Sequence, residues 1–110
     1  MKIDSFYFGT IIIGGKKFTT DIKIYPDGKI VEKEKSHEIT KFDVDDFLME
    51  NVEIIIIGNG TAGAVKIDPS VHVAAQVSGI ELIIKPTPQA VQEFNKIRGK
   101  KVGAIFHLTC

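Results

Sequence analysis

The sequence predicts an α/β fold of three layers. Its mixed central sheet has a parallel βαβαβ C-terminal half and an antiparallel N-terminal β meander. Three observations predict it. Val52-Glu53-Ile54-Ile55-Ile56-Ile57 is an apolar run rather than an alternation, as a strand covered on both faces reads, and such strands are usually parallel. Asp68-Pro69 to Gly79 and Thr87-Pro88 to Gly99 both carry helix start and stop signals. The first 35 residues alternate in polarity between glycine and proline turns, the signature of hairpins.

Ser5 to Ile13 is rich in aromatic and β-branched residues, and Gly14-Gly15 supplies the positive φ angles of a tight hairpin. The return strand is expected over Phe18 to Tyr25, with Phe18, Thr20, Ile22 and Ile24 on one face and Thr19, Asp21 and Lys23 on the other. Pro26-Asp27-Gly28 turns the chain into a third strand, Lys29 to Lys33, so the first 35 residues read as one three-stranded sheet. A short helix over Phe42 to Met49 gathers Val44, Phe47 and Leu48 on one face, with Asp43, Asp45 and Asp46 near its positive end. The strand of four isoleucines follows, then the helix capped by Asp68. Next come a strand over Ile80 to Lys85, a helix with an apolar stripe of Ala90, Val91, Phe94 and Ile97, and a last strand over Val102 to Leu108. Right-handed crossovers make the last three strands parallel in one sheet.

The 110 residues suit a single domain, 1–110, and 44% hydrophobic with 25% charged residues is ordinary globular composition. Fourteen basic residues balance fourteen acidic ones, so no net field attracts nucleic acid or an acidic membrane. No apolar run reaches the length of a membrane span, and Met1-Lys2-Ile3-Asp4 opens no signal-peptide core. A lone cysteine, Cys110, fits a reducing compartment, and the expected location is cytoplasmic.

Gly58-Asn59-Gly60-Thr61-Ala62-Gly63 matches the G-x-G-x-x-G pattern and follows a buried strand. Two features speak against a dinucleotide. Asp68-Pro69 leaves scarcely one turn for a helix inside the glycines, and Lys85 stands where an acidic ribose ligand is required. The loop reads first as a tight structural turn. Its position is still suggestive, because ligands of open parallel sheets bind beyond the carboxyl ends of the strands. The candidate ligand rim is therefore Gly58, Asn59, Gly60, Thr61, Lys85, Thr87 and Thr109, expected to form a shallow polar pocket for a small anion. The Asp68 cap and Pro88 weaken the field of the two helix starts.

No catalytic or metal set emerges. His107 and Cys110 fall on opposite faces of a strand, so neither chelation nor a Cys–His dyad is expected, and no cofactor is called for. The run from Asp27 to Asp46, with Glu32-Lys33-Glu34-Lys35, reads as a solvated, charged edge that discourages strand pairing. Lys96, Arg98, Lys100 and Lys101 suit the end of a helix and lack the interleaved aromatics of a nucleic-acid site.

Several motifs carry a family likeness: Tyr7-Phe8-Gly9, Gly14, Thr20-Asp21-Ile22, Pro26-Asp27-Gly28, Ser36-His37, Ile57-Gly58-Asn59-Gly60, Thr87, Ala90, Asn95 and His107-Leu108-Thr109-Cys110. In this order they resemble the small Mth-type α/β domain family, over nearly the whole chain. That family takes in archaeal and bacterial proteins of unknown function, the adipogenesis-associated Mth domain protein and a mitochondrial assembly factor for complex I. The chain departs from it at Asn59, often threonine in the family, and at Glu32 to Lys35, where the family has a tryptophan–arginine feature. The resemblance implies a layered fold with a mixed sheet and no established reaction. Binding outranks catalysis, so the expected function is a protein-binding, assembly or regulatory module. The alternative is a small-molecule or anion binder using the rim.

Overall fold

The computed structural model describes residues 1–110. Its centre is a five-stranded sheet built from β4 (Asp21–Ile24), β5 (Ile30–Lys33), β7 (Ile54–Asn59), β9 (Glu81–Lys85) and β10 (Val102–His107), in the order β5-β4-β10-β7-β9. β7, β9 and β10 are mutually parallel, as the isoleucine run predicts, and β10 pairs antiparallel with β4 on its other side. A smaller antiparallel sheet, β1 (Ile3–Tyr7), β2 (Thr10–Ile13) and β3 (Lys16–Phe18), packs on one face. A two-residue parallel pair, β6 (Glu38–Ile39) with β8 (Lys66–Ile67), braces the loops before α1 and α2.

The meander is divided differently from the sequence reading. The segment Ser5–Ile13 bends at Phe8-Gly9 into two strands, with Gly9 at φ +80 and its amide donating to Leu108 O at 2.7 Å. The expected strand from Phe18 to Tyr25 is interrupted at Thr19-Thr20, where the chain leaves the small sheet for the central one. Polarity alternation fixes which side chains share a face; it carries no information on which sheet the strand joins. Ile22 and Ile24 do face one core and Asp21 and Lys23 the other side. That other side is covered rather than solvated.

The three helices are α1 (Lys41–Met49), α2 (Pro69–Val77) and α3 (Thr87–Lys96). Asp68 caps α2 by accepting the Ser70 amide at 2.8 Å, and the Ser70 hydroxyl, then this amide, hold its carboxyl below the usual range. The path runs from β7 outward to β9 through α2 and back to β10 through α3. Because the direction reverses, crossovers of one hand place the two helices on opposite faces. Val71 of α2 accordingly joins Phe47, Ile55, Ile57 and Ile105, whereas Ala90, Val91 and Phe94 of α3 join Ile22, Ile54, Ile56 and Phe106 with the small sheet. Gly103 lets α1 sit this close, since a Cβ there would lie 2.7 Å from the Phe47 ring.

Candidate functional site

β7 delivers the chain into the glycine loop at the carboxyl end of the sheet. Gly60 sits at φ +102 and Gly63 at φ +70, conformations that side chains resist. A Cβ on Gly60 would lie 2.2 Å from the Cys110 carbonyl oxygen, so only glycine lets the C-terminal segment cross the loop. That crossing uses the loop's donors. The Gly60 amide donates to Thr87 Oγ1 at 2.9 Å, Thr61 to the Thr109 carbonyl at 2.6 Å and Ala64 to the Cys110 carbonyl at 3.1 Å. The Gly63 and Val65 amides close the turn on Gly60 O and Asn59 O.

Thr87 ties the rim together from the start of α3. It is 0% exposed; its hydroxyl accepts from Gly60 and donates to the His107 carbonyl at 2.6 Å, while its amide donates to Gly60 O. The structure thus brings Gly58, Asn59, Gly60, Thr61, Thr87 and Thr109 together, but it joins them to one another. Thr87 and the Gly60 amide face no solvent, and Gly58 abuts Thr87 and Phe106 so closely that a Cβ would meet the threonine at 2.9 Å. Thr61 and Lys85 are the exposed members, with Thr109 half-buried. Asn59 Oδ1 is buried without a donor, and a bare acceptor repels an anion.

Beside the rim lies a contact that the sequence hides. Asp21 and His107 are both buried, and His107 Nδ1 donates to Asp21 Oδ2 at 2.6 Å. Asp21 Oδ1 accepts the Leu108 amide at 3.0 Å, and His107 Nε2 lies 3.2 Å from Thr109 Oγ1. An Asp–His–hydroxyl chain has the order of a hydrolase triad, but acyl transfer also needs donors for an oxyanion. The amides of Gly60, Thr61 and Ala64 already bond within the chain. The chain of three therefore fastens the C-terminal segment to β4. In the sequence Asp21 shares its face of the strand with Thr19 and Lys23, and alternation assigns that face to solvent.

The outer face of α1 and α2 is the opposite case. Thr40 opens α1, its amide donating to Asp43 Oδ2 at 2.8 Å, and Val44 and Phe47 turn into the core. That phase leaves Phe42 and Met49, seven residues apart on one stripe, 86% and 83% exposed. On α2, Val71, Ala74 and Ala75 are buried, and Val73 and Val77 stand 58% and 81% exposed. Between the helices runs an open groove of about 470 Å³ floored by Leu48 and Ala74 and walled by Val73 and Val77. A separate, more charged groove of about 440 Å³ lies along the other flank of α1, lined by Lys23, Asp45 and Asp46 with Phe42 and Met49. Ion pairs border the two grooves: Lys41, on the first, with Asp45 at 2.7 Å, and Lys23 with Asp46 at 2.8 Å in the second. Tyr25 also donates to Asp46, and burial with this bond raises the phenol's pKa far above its usual value. Burial alone would raise the Asp46 carboxyl; hydrogen bonds from Lys23 and Tyr25 and the lysine charge outweigh it, so the net shift is downward.

Fold and rim together define a small three-layer α/β domain whose mixed sheet is closed at its carboxyl end by the chain's own last residues. The chain belongs to the family described as "Protein of unknown function (DUF498/DUF598)", whose profile matches residues 3–107, and its fold is that of the Mth-type domains. It is similar to the conserved hypothetical protein PH1505 from Pyrococcus horikoshii OT3, at 31% identity, with all of both chains covered and a TM-score of 0.88. The protein MT938 matches at 27% identity and TM-score 0.85, covering 99% of this chain and 98% of that one. A Mth938-like domain from Bordetella pertussis shares the fold at 14% identity and TM-score 0.72, over 97% and 85% of the two chains. No helix of the chain is long and apolar enough to cross a membrane.

Proposed function

We propose that this protein is a non-enzymatic protein-binding module, of an assembly or regulatory kind, whose partner docks on the α1–α2 face. The observation that carries the reading is the exposure of Phe42, Met49, Val73 and Val77 on adjacent helices, Val73 and Val77 on the groove between them and Phe42 and Met49 on the groove along the other flank of α1. Apolar side chains gathered in this way mark interaction surfaces, whereas singly scattered ones are ordinary. The exposed thiol of Cys110, the chain's single cysteine, supports a reducing, cytoplasmic setting. Capture from native extract with the wild type and with the Phe42→Ser/Val77→Ser double variant tests the reading. It requires a partner retained by the wild type and lost by a variant that melts normally. An identical set of captured proteins would end it.

A second reading, a small anion at the exposed remainder of the rim, is supported by one feature: Lys85 pairs with no carboxylate. Titrating phosphate against the amide spectrum tests it. Shifts confined to residues 58–63 and 85–88 and abolished in Lys85→Gln favour it; shifts scattered over the surface dismiss it.

A further inference from the structure

The central sheet ends in two edge strands, and only one is protected. β5 carries Glu32 and Lys33 within the strand, and those side chains are held by Thr20 and Asp43. β9 has no charge among its three central residues, Leu82, Ile83 and Ile84, each partly exposed. It hydrogen-bonds only to β7. The Glu81 amide donates to Glu53 O at 3.1 Å, toward the β7 side, so alternation turns the amides and carbonyls of Leu82 and Ile84 outward. Proline at 86 bounds the row. An open, apolar edge of this kind is a template for another strand.

The edge is also self-complementary. Read antiparallel to itself about Ile83, Glu-Leu-Ile-Ile-Lys sets Glu81 opposite Lys85 and Leu82 opposite Ile84. The second pairing is the hydrogen-bonded kind, because both residues present their backbone groups outward. Glu81 and Lys85 then fall in the non-hydrogen-bonded kind, where facing side chains come closest. Neither residue has an ion-pair partner within the chain. We propose that a second copy of this chain pairs antiparallel with β9 about a two-fold axis at Ile83, joining two five-stranded sheets into one. The contact is one short strand from each copy, so the dimer is weak and concentration-dependent.

Sedimentation over a rising concentration series tests this by exchange of charge. The wild type should approach twice the 12.1 kDa of one chain. Glu81→Lys alone and Lys85→Glu alone each oppose like charges twice across the axis, and each should weaken association by about tenfold or more. An equimolar mixture of these two variants should form a heterodimer, because every facing pair is again opposite in sign. The double variant Glu81→Lys/Lys85→Glu should recover the homodimer. Both substituted positions lie at exposed strand ends, and a melting curve confirms that each variant folds. A wild type that stays monomeric at every concentration overturns the proposal, as does a dimer indifferent to these charges, which would place the contact elsewhere.

Discussion

At the carboxyl rim, the amides of Gly60, Thr61, Gly63, Ala64 and Val65 all end on acceptors of the same chain. On the outer face of α1 and α2, Phe42, Met49, Val73 and Val77 end on solvent. The first region carries the motif-like sequence and the second carries none. The difference teaches that a glycine-rich loop after a buried strand can serve close packing as well as ligand approach, since both need a backbone without a Cβ. Here the visitor to the glycines is the chain's own Cys110 carbonyl. Surplus apolar surface on two helices, by contrast, is unexplained by the domain's own packing.

The contrast predicts that substitutions at the rim act on stability and substitutions at the face do not. Gly60→Val should have the largest effect. It combines a φ of +102 with a Cβ driven into the Cys110 carbonyl, and should cost about 3 kcal/mol or more, seen as a thermal midpoint lower by ~10 °C or more. A midpoint near that of the wild type would mean the tail does not press on the loop.

Asp21→Ala comes next. It removes the acceptor of both His107 Nδ1 and the Leu108 amide in a buried setting, and should cost about 2–3 kcal/mol in urea unfolding. Thr87→Val should fall close behind at ~2 kcal/mol, by leaving the Gly60 amide and the His107 carbonyl unpaired, while Thr87→Ser keeps both bonds and stays within ~1 kcal/mol of the wild type. Equal losses in the two threonine variants would show that the methyl group, not the hydroxyl, matters.

Smaller still is the effect of acid on the charged groove along α1. The Asp46 carboxyl titrates lower in the folded chain than in the unfolded one. Its contribution is therefore whole above the ordinary carboxylate range and disappears as pH falls through the lowered value. Because the side chain is 42% exposed, Asp46→Asn should cost less than about 1 kcal/mol near neutrality. It should also flatten the loss of stability below about pH 4. Phe42→Ser and Val77→Ser close the series, each within ~0.5 kcal/mol of the wild type in stability.

Much of the parallel half is legible in the sequence, because burial on both faces of β7 leaves an isoleucine run and because caps are local signals. Asp68 and the Gly79 turn stand where those signals place them. The division of the meander is not legible, since Thr19-Thr20 contains no breaker and the sheet that β4 joins is chosen by β10, some eighty residues onward. The same distance hides Asp21 with His107. At the rim, the need for glycine can be read from Gly58 to Gly63, but not the identity of what comes close. The α1–α2 face lies at the other limit: Phe42 and Val77 look like core candidates until the helix phase is known.

A photo-cross-linking amino acid placed at position 77 or at position 61, in otherwise unaltered protein returned to its native extract, tests the division of labour most directly. Both sites are exposed, one on the apolar face and one on the glycine loop. The account predicts a discrete protein adduct from position 77, lost when Phe42 is also changed to serine, and none from position 61. A discrete adduct from position 61 with none from position 77 would contradict it.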